Sequence, residues 1–136
     1  MSPAAVSVSE NIERARKGYE AFDQGDLDAI RDLMDPNIVW HVSGRSRFAR
    51  DYHGIDDVFG NFFAPVISET GGTLKNEVHD ILASDDHVVV LLTQRAERQG
   101  KKIEVRFAHI QHLRDGKVTE SWFFTDDAYA LDAFYA

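Results

Sequence analysis

The sequence of 136 residues contains no cysteine, so neither a disulfide framework nor thiol chemistry is available to it. Basic residues are scarce, since 15 Lys and Arg stand against 23 Asp and Glu and give a formal net charge of -8. Nucleic acids and anionic membranes are bound by basic patches, so this balance argues against both as partners. The longest apolar runs are too short to span a membrane, and the N-terminus lacks the basic and apolar segments of a secretion signal. We therefore expect a cytoplasmic protein.

Several catalytic motifs are also missing. There is no H-E-x-x-H helix, no G-x-S-x-G elbow and no glycine-rich phosphate loop. His109 and His112 are three residues apart, which on a strand turns them to opposite faces. We therefore expect no metal site and no cofactor. The chemistry that remains is general acid–base catalysis on a small molecule, which suits histidine because its ordinary pKa lies near neutral pH.

Hydrophobic periodicity predicts three helices followed by a β-sheet. Ser9 and Asp26 are typical helix N-caps, and Gly25 between them is typical of a left-handed stop. Asp115-Gly116 predicts a tight hairpin. The predicted helices cover 9–24, 26–34 and 54–67; the predicted strands run through His41 and over 73–83, 87–98, 101–113 and 117–126; and 127–136 form a short helix or a tail packed on the sheet.

This order of elements indicates an α+β fold. Residues 1–136 fit one domain, since no repeat, linker or low-complexity segment interrupts the pattern, and we expect residues 1–8 to be flexible. One face of a curved, mostly antiparallel sheet is expected to pack on the three helices and to leave a pocket between the two layers.

Strand parity predicts which polar side chains face that pocket, because successive side chains alternate across a strand. Gln94 lies on the same face of its predicted strand as the apolar residues of that strand. On the next predicted strand, Arg106 belongs to the outer face. His109 and Gln111 therefore share the inner face with Gln94. Such residues either pair with one another for structural reasons or line a wet, functional cavity, and both interpretations stay open.

His41 interrupts the apolar stretch PNIVWHVSG, where parity leaves two possibilities. Either His41 or Trp40 faces the helices, since both alternating sets contain apolar residues. Asp126, at the end of the last predicted strand in ESWFFTDD, is the best-placed carboxylate to orient a histidine. Asp126 equally suits a strand-end residue that caps the next segment.

The residues just described occur in stretches that resemble a known family. YEAFDQGDLDAIRDLMDPNIVWHVSG, the HG at 53–54 and DGKVTESWFFTD resemble the SnoaL-like branch of the nuclear-transport-factor-2-like superfamily. The resemblance covers roughly residues 10 to 130. It implies a cone-shaped, curved sheet closed by three helices, the cystatin-like α+β roll, and a homodimer formed through the sheets.

The resemblance also lets single positions be compared. His41 stands where ketosteroid isomerase has its catalytic base, Gln111 where it has the protonated aspartate of its oxyanion hole, and Tyr19 one step from its oxyanion tyrosine. SnoaL-type cyclases use a pocket histidine and an aspartate for ring closure without a cofactor, and His109 and Asp126 match those roles.

Limonene epoxide hydrolase, another member of the superfamily, uses an Asp–Arg–Asp cluster. This reaction ranks lower here because Arg95 and Arg106 fall on the predicted outer face.

The leading hypothesis is a cofactor-independent lyase, isomerase or cyclase that acts on a small, largely apolar carbonyl compound. His41 or His109 abstracts a proton α to the carbonyl, and Asp126 orients a histidine or returns the proton. The enolate oxygen and the apolar body of the substrate are contacted by the remaining candidates, Tyr19, Gln94, Gln111, Trp40, Phe59, Phe63 and Trp122. The alternative is a non-catalytic module of the same fold that binds a small molecule or serves in dimerisation.

Overall fold

The computed structural model describes residues 7–136. Within that range the chain forms five α-helices, one π-helical turn and six strands. In chain order these are α1 Val8–Gln24, α2 Leu27–Arg31, β1 Met34–His41, β2 Asp51–His53, α3 Ile55–Val58, the π turn Phe59–Phe63, α4 Ala64–Glu69, β3 Lys75–Ala83, β4 His87–Arg98, β5 Lys101–Arg114, β6 Lys117–Thr125 and α5 Ala128–Phe134. No helix among these residues is long and apolar enough to cross a membrane.

The N-terminal helices differ from the prediction mainly at their ends. The cap of α1 is Ser7, whose Oγ accepts from the Glu10 N–H, so the prediction of Ser9 as cap was wrong. Gly25 does end α1 in a left-handed conformation, with φ of 75°. The next helix stops at Arg31, because Met34 already belongs to β1. Flexibility was expected for residues 1–8; residues 1–6 lie outside the described residues, whereas Ser7 and Val8 cap and begin α1.

The strands form one curved, mixed sheet in the order β2-β1-β6-β5-β4-β3. All neighbouring pairs are antiparallel except β1 and β6, which are parallel and meet near the centre of the sheet. The short edge strand β2 was not predicted, because its three residues lie in a polar segment without an alternating pattern. Asp115 and Gly116 both adopt positive φ in the β5–β6 turn, as the hairpin prediction requires. The α+β fold is confirmed.

The third predicted helix is a continuous helical segment with an irregular middle. The π turn Phe59–Phe63 joins α3 to α4. A π turn adds a residue to the helical period, so neighbouring side chains change direction relative to a regular helix. Both Phe62 and Phe63 consequently line the cavity beneath the segment.

The hydrophobic core lies between the helices and the concave face of the sheet. Val88 and Val90 of β4 are fully buried there, and Ile38 of β1 joins them. Phe107 and Leu113 occupy the inner face of β5. The predicted inner faces of β4 and β5 are thus confirmed, and their polar members are the starting point for the site.

Candidate functional site

A cavity of about 150 Å³ lies between α1, the π turn and the concave face of the sheet. The 43–48 segment and the C-terminal helix α5 close one end of it. Its wall is mostly aromatic and aliphatic. The aromatic side chains include Phe22, Trp40, Phe62, Phe63, Phe107 and Phe123. The size and lining of this cavity suit an apolar body, with a few polar groups placed to orient it.

His109 is the central polar group of the wall. It comes from β5, and only 2% of its surface is exposed. The ring stacks on Phe123, with centroids 4.0 Å apart and planes 10° from parallel, and Trp40 meets it edge-on at 5.2 Å. This aromatic cage fixes the imidazole plane, so both ring nitrogens point in fixed directions.

Hydrogen-bond partners reach both nitrogens of His109. The Tyr19 hydroxyl oxygen lies 2.5 Å from Nδ1, and the Ser121 hydroxyl lies 2.5 Å from Nε2. The side-chain nitrogen of Gln111 lies 3.4 Å from Nδ1. Tyr19 and Gln111 line the cavity, whereas Ser121 is fully buried behind the ring. The imidazole therefore connects the cavity surface to the interior of the sheet.

Both groups of the Tyr19–His109 pair are uncharged at neutral pH. Burial lowers the pKa of His109 to about 3, because the site disfavours the imidazolium. Burial also raises the pKa of Tyr19 well above its ordinary value, and the negative charge of Asp23 adds to this shift. The resting cavity thus presents a neutral imidazole behind a protonated phenol.

Two tautomers of His109 satisfy the contacts with Tyr19 and Ser121, and only the one with an unprotonated Nδ1 can also accept from Gln111. With the proton on Nδ1, the ring donates to Tyr19, whose own hydroxyl hydrogen is then available to an oxygen in the cavity. With the proton on Nε2, the ring donates to Ser121, and Tyr19 donates to Nδ1. The pair can therefore give a proton to a ligand or take one from it.

A second polar group lies on the cavity wall at β3 and β4. The Gln94 side chain donates to the Asn76 side-chain oxygen at 2.9 Å, and the Asn76 side-chain nitrogen donates to Asp23 at 3.3 Å. Gln94 faces the cavity as parity predicted, together with Gln111. One amide hydrogen of Gln94 is therefore already used by Asn76.

Charge is almost absent from the cavity wall. Among residues 7–136, no carboxylate lines it, and Arg14 is the single formally charged lining residue. The Asp–Arg–Asp cluster of an epoxide hydrolase is therefore not formed there. Arg95 pairs with Glu77 and Glu104 on the exposed side of the sheet.

His41 does not lie in the cavity. Trp40 faces the helices, and His41 points to the outer face, where its ring stacks on Trp122. Its Nδ1 lies 2.6 Å from Asp51 and its Nε2 lies 2.6 Å from Glu120. Partial burial opposes its charge, but the hydrogen bonds to the two carboxylates outweigh that effect and raise the pKa of His41.

Asp126, Phe59 and Trp122 also lie outside the cavity. The Asp126 carboxylate accepts from the backbone N–H of Arg106 at the end of the β5–β6 ladder, which is a strand-end role. Phe59 is buried in the core beneath the Arg31 guanidinium, and Trp122 stacks on His41. The catalytic roles predicted for His41 and Asp126 beside His109 are therefore not supported, because β1 turns His41 to the outer face and Asp126 lies beyond the cavity wall.

Comparison with known proteins identifies the family. The profile of the SnoaL-like domain matches residues 15–121. The chain belongs to the SnoaL-like family. This match confirms the resemblance seen in the sequence, and it runs from within α1 to within β6.

Several proteins are similar to this SnoaL-like chain along most of its length. Bal32a, from a soil-derived mobile gene cassette, is 36% identical, with a TM-score of 0.91 over 95% of this chain and 98% of Bal32a. An uncharacterised protein of Mycobacterium tuberculosis is 26% identical over 93% of this chain and 96% of its own length. A protein of Jannaschia, provisionally described as a SnoaL-like polyketide cyclase, shares the fold at 20% identity, with a TM-score of 0.77 over 100% of this chain and 98% of that protein.

Several residues in or behind the wall of this SnoaL-like cavity were missed from the sequence, among them Ser121, Asn76 and Phe62. Ser121 pairs with Gln111 across the β5–β6 ladder and shares the parity of Phe123. It was missed because Trp122 was expected to face the pocket, and alternation from that assignment turns Ser121 outward. Asn76 shares its register with Gln94 on the neighbouring strand, which cannot be known without the pairing. Phe62 lines the cavity because of the π turn, which has no simple sequence signature.

Proposed function

We propose that the cavity binds a small, largely apolar carbonyl compound and that the Tyr19–His109 pair catalyses a proton transfer on it without a cofactor. The observation that carries this proposal is the 2.5 Å contact between a cavity-lining phenol and a buried, neutral imidazole in an otherwise apolar wall. The reaction class is an isomerisation, a cyclisation or a dehydration that passes through an enol or enolate.

The apolar wall supports the choice of substrate. A cavity of about 150 Å³ with aromatic sides favours a compact ring system over a charged metabolite. The polar groups of the wall are hydrogen-bonding groups, as a carbonyl oxygen requires. The description of the Jannaschia protein as a polyketide cyclase agrees with this class of ligand.

The pair supports both halves of a proton transfer. In one tautomer the Tyr19 hydroxyl donates a hydrogen bond to the carbonyl oxygen, which binds and polarises the substrate before any proton moves. In the other, the phenol oxygen takes the α proton of the substrate while its own proton passes to Nδ1 of His109. One C–H bond breaks, one N–H bond forms, and the electron pair remains on the enolate.

Formation of the imidazolium is unfavourable in the resting cavity, as the low pKa of His109 indicates. The enolate supplies the compensating negative charge as it forms, because an opposite charge a few ångström away favours the protonated ring. The reaction therefore has to create both charges together. This condition favours substrates with acidic α protons, such as β-dicarbonyl compounds.

The second candidate is binding without turnover. It is favoured by a specific observation: no carboxylate among the lining residues of the described chain offers a fixed partner to a charged His109. On this interpretation Tyr19 donates to a ligand oxygen, and His109 only holds the phenol in place.

The test combines ligand binding with turnover. Wild-type protein is titrated with a panel of aromatic ketones, β-diketones and epoxides, with thermal shift and calorimetry as readouts, and each binder is then assayed for turnover. Tyr19→Phe is expected to lower kcat/KM by about 10²- to 10³-fold, as for loss of one oxyanion donor. Tyr129→Phe is the matched control, since Tyr129 is 88% exposed on α5.

The outcomes separate the two candidates. Turnover that falls in Tyr19→Phe and in His109→Gln, but not in Tyr129→Phe, supports catalysis. Binding that weakens in Tyr19→Phe without turnover of any compound supports the binding function. If Tyr19→Phe changes neither affinity nor turnover of a compound that the wild type binds, the pair has no role and the proposal is wrong.

A further inference from the structure

Two histidines lie side by side on the outer face of the sheet, opposite the cavity. His87 begins β4, and its cross-strand partner in the β4–β5 ladder is His112. The two rings are 4.8 Å apart between centroids and are tilted by 31°. Asp86 precedes His87, so three potential metal ligands meet at one corner of the sheet.

The ligand atoms are close enough to share one ion. One donor atom from each of Asp86, His87 and His112 lies within 4.8 Å of the other two. The Asp86 carboxylate is 2.8 Å from Nδ1 of His87 and 3.9 Å from Nε2 of His112. A tetrahedral site with ligand bonds of about 2.1 Å places its ligands about 3.4 Å apart. The two distances from the Asp86 carboxylate lie on either side of that spacing.

The surrounding hydrogen bonds hold the ligands in position. The Ser84 hydroxyl donates to the Asp86 carboxylate at 3.2 Å and accepts the backbone N–H of His87. The Leu113 N–H donates to the Asp86 carbonyl at 2.7 Å, which ties the turn to β5. Outer hydrogen bonds of this kind orient metal ligands and raise affinity.

We propose that Asp86, His87 and His112 form a binding site for one divalent transition-metal ion, for which Zn²⁺ is the probe. Two imidazoles with one carboxylate suit zinc, nickel and copper, whereas Mg²⁺ and Ca²⁺ prefer oxygen ligands. All three side chains are solvent-accessible. Three protein ligands leave the fourth position of a tetrahedral ion open to water or another donor.

This site is independent of the cavity. His112 points away from its neighbours Gln111 and Leu113, which both line the cavity on the other face of β5. A metal bound here does not touch Tyr19 or His109. Its direct effect is to join β4 to β5 at the turn that carries Asp86.

The experiment is a calorimetric titration of tag-free, metal-free protein with ZnCl₂. The wild type is expected to bind one Zn²⁺ per chain and to gain thermal stability, with no response to MgCl₂. His87→Ala and His112→Ala are each expected to weaken zinc binding by more than about 100-fold. Loss of a residue that only hydrogen-bonds a metal ligand weakens binding by about 100-fold at most, and loss of a ligand itself costs more. Ser84→Ala is expected to weaken it by about 10-fold, because it removes only the support of Asp86.

His53→Ala is the matched control, since His53 is an exposed histidine on the short strand β2. Its zinc affinity is expected to equal that of the wild type. Circular dichroism and thermal unfolding of the metal-free variants separate loss of the site from loss of the fold. The proposal is wrong if the wild type binds no Zn²⁺, or if a folded His87→Ala/His112→Ala double variant binds it as tightly as the wild type does.

Discussion

The buried, neutral state of His109 predicts that acidification destabilises the fold. An unfolded chain exposes this imidazole, which then takes up a proton near its ordinary pKa of 6.5, whereas in the folded protein the pKa is about 3. Between these two values the unfolded state binds more protons than the folded state. The stability that His109 contributes is therefore fully present above pH 6.5 and is lost as the pH falls through that window.

The magnitude follows from proton linkage. One proton of difference changes the free energy of unfolding by about 1.4 kcal/mol per pH unit. Between pH 8 and pH 5 the loss is about 2 kcal/mol, because the first half of the interval lies above the unfolded pKa. No discount for solvent is needed, since the ring is almost completely buried.

The perturbation is His109→Gln, which keeps hydrogen-bonding capacity and removes the titration. Urea unfolding of both proteins at pH 5, 6, 7 and 8 gives the difference in free energy of unfolding at each pH. Contributions of groups common to both proteins cancel in this difference. The free energy of unfolding of the wild type, relative to that of His109→Gln, is expected to fall by about 2 kcal/mol from pH 8 to pH 5. A difference that stays constant over this range would refute the buried neutral imidazole.

His41→Gln is the control of opposite sign. The carboxylates of Asp51 and Glu120 raise the pKa of His41 in the folded state. Its contribution is therefore fully present below the ordinary pKa and is lost as the pH rises through the raised value. On acidification, the free energy of unfolding of the wild type is thus expected to rise relative to that of His41→Gln and to fall relative to that of His109→Gln.

Two further predictions concern the loop beside the cavity and the outer face of the sheet. Gly44 has φ of 105°, and a Cβ there would lie 2.7 Å from Oδ1 of Asp132. Gly44→Ala is therefore expected to lower the free energy of unfolding, measured with urea, by about 1–3 kcal/mol. Gly60→Ala is the control, because a Cβ at Gly60 would have no atom within 4 Å. The family resemblance implies a homodimer formed through the sheets, and Phe124 is 58% exposed on the outer face of the sheet. Phe124→Asp is therefore expected to shift the sedimentation of the protein from dimer to monomer, whereas the control Tyr129→Asp is not. A wild type that sediments as a monomer would exclude the dimer.

Alternation along the long strands made the inner face of the cavity predictable. On β4 and β5 one parity is apolar over most of the strand, and the other becomes charged toward the end. That contrast assigned Gln94, His109 and Gln111 to the cavity before any register was known. The information is local, because each strand carries its own evidence of which face is buried.

β1 lacks that contrast, and the sequence therefore could not place His41. Both faces of β1 are partly buried near the centre of the sheet, so apolar residues occur at both parities. Which of His41 and Trp40 faces the helices depends on contacts with residues far away in the sequence. Trp40 packs against the π turn, and His41 finds carboxylates on β2 and β6, which only the folded sheet brings together.

The outer histidine pair shows the same limit. The separation of His109 from His112 was interpreted correctly as opposite faces, and on that ground a metal site was not expected. The partner of His112 is His87, 25 positions earlier, and it becomes visible only when β4 and β5 are in register. A pattern search along one strand cannot find a group of side chains that two different strands bring together.

The sheet separates His41 from His109, and the surroundings of the two histidines shift their pKa values in opposite directions. On the outer face, two carboxylates stabilise the charged form of His41, yet that residue contacts no cavity. On the inner face, His109 touches the cavity through Tyr19 but lacks an anionic partner. A substrate whose own anion forms within reach of Tyr19 supplies the partner that the wall does not. On the proposed mechanism, the acidity of the ligand's α proton, more than the ligand's shape, therefore decides whether the cavity catalyses a reaction or only binds.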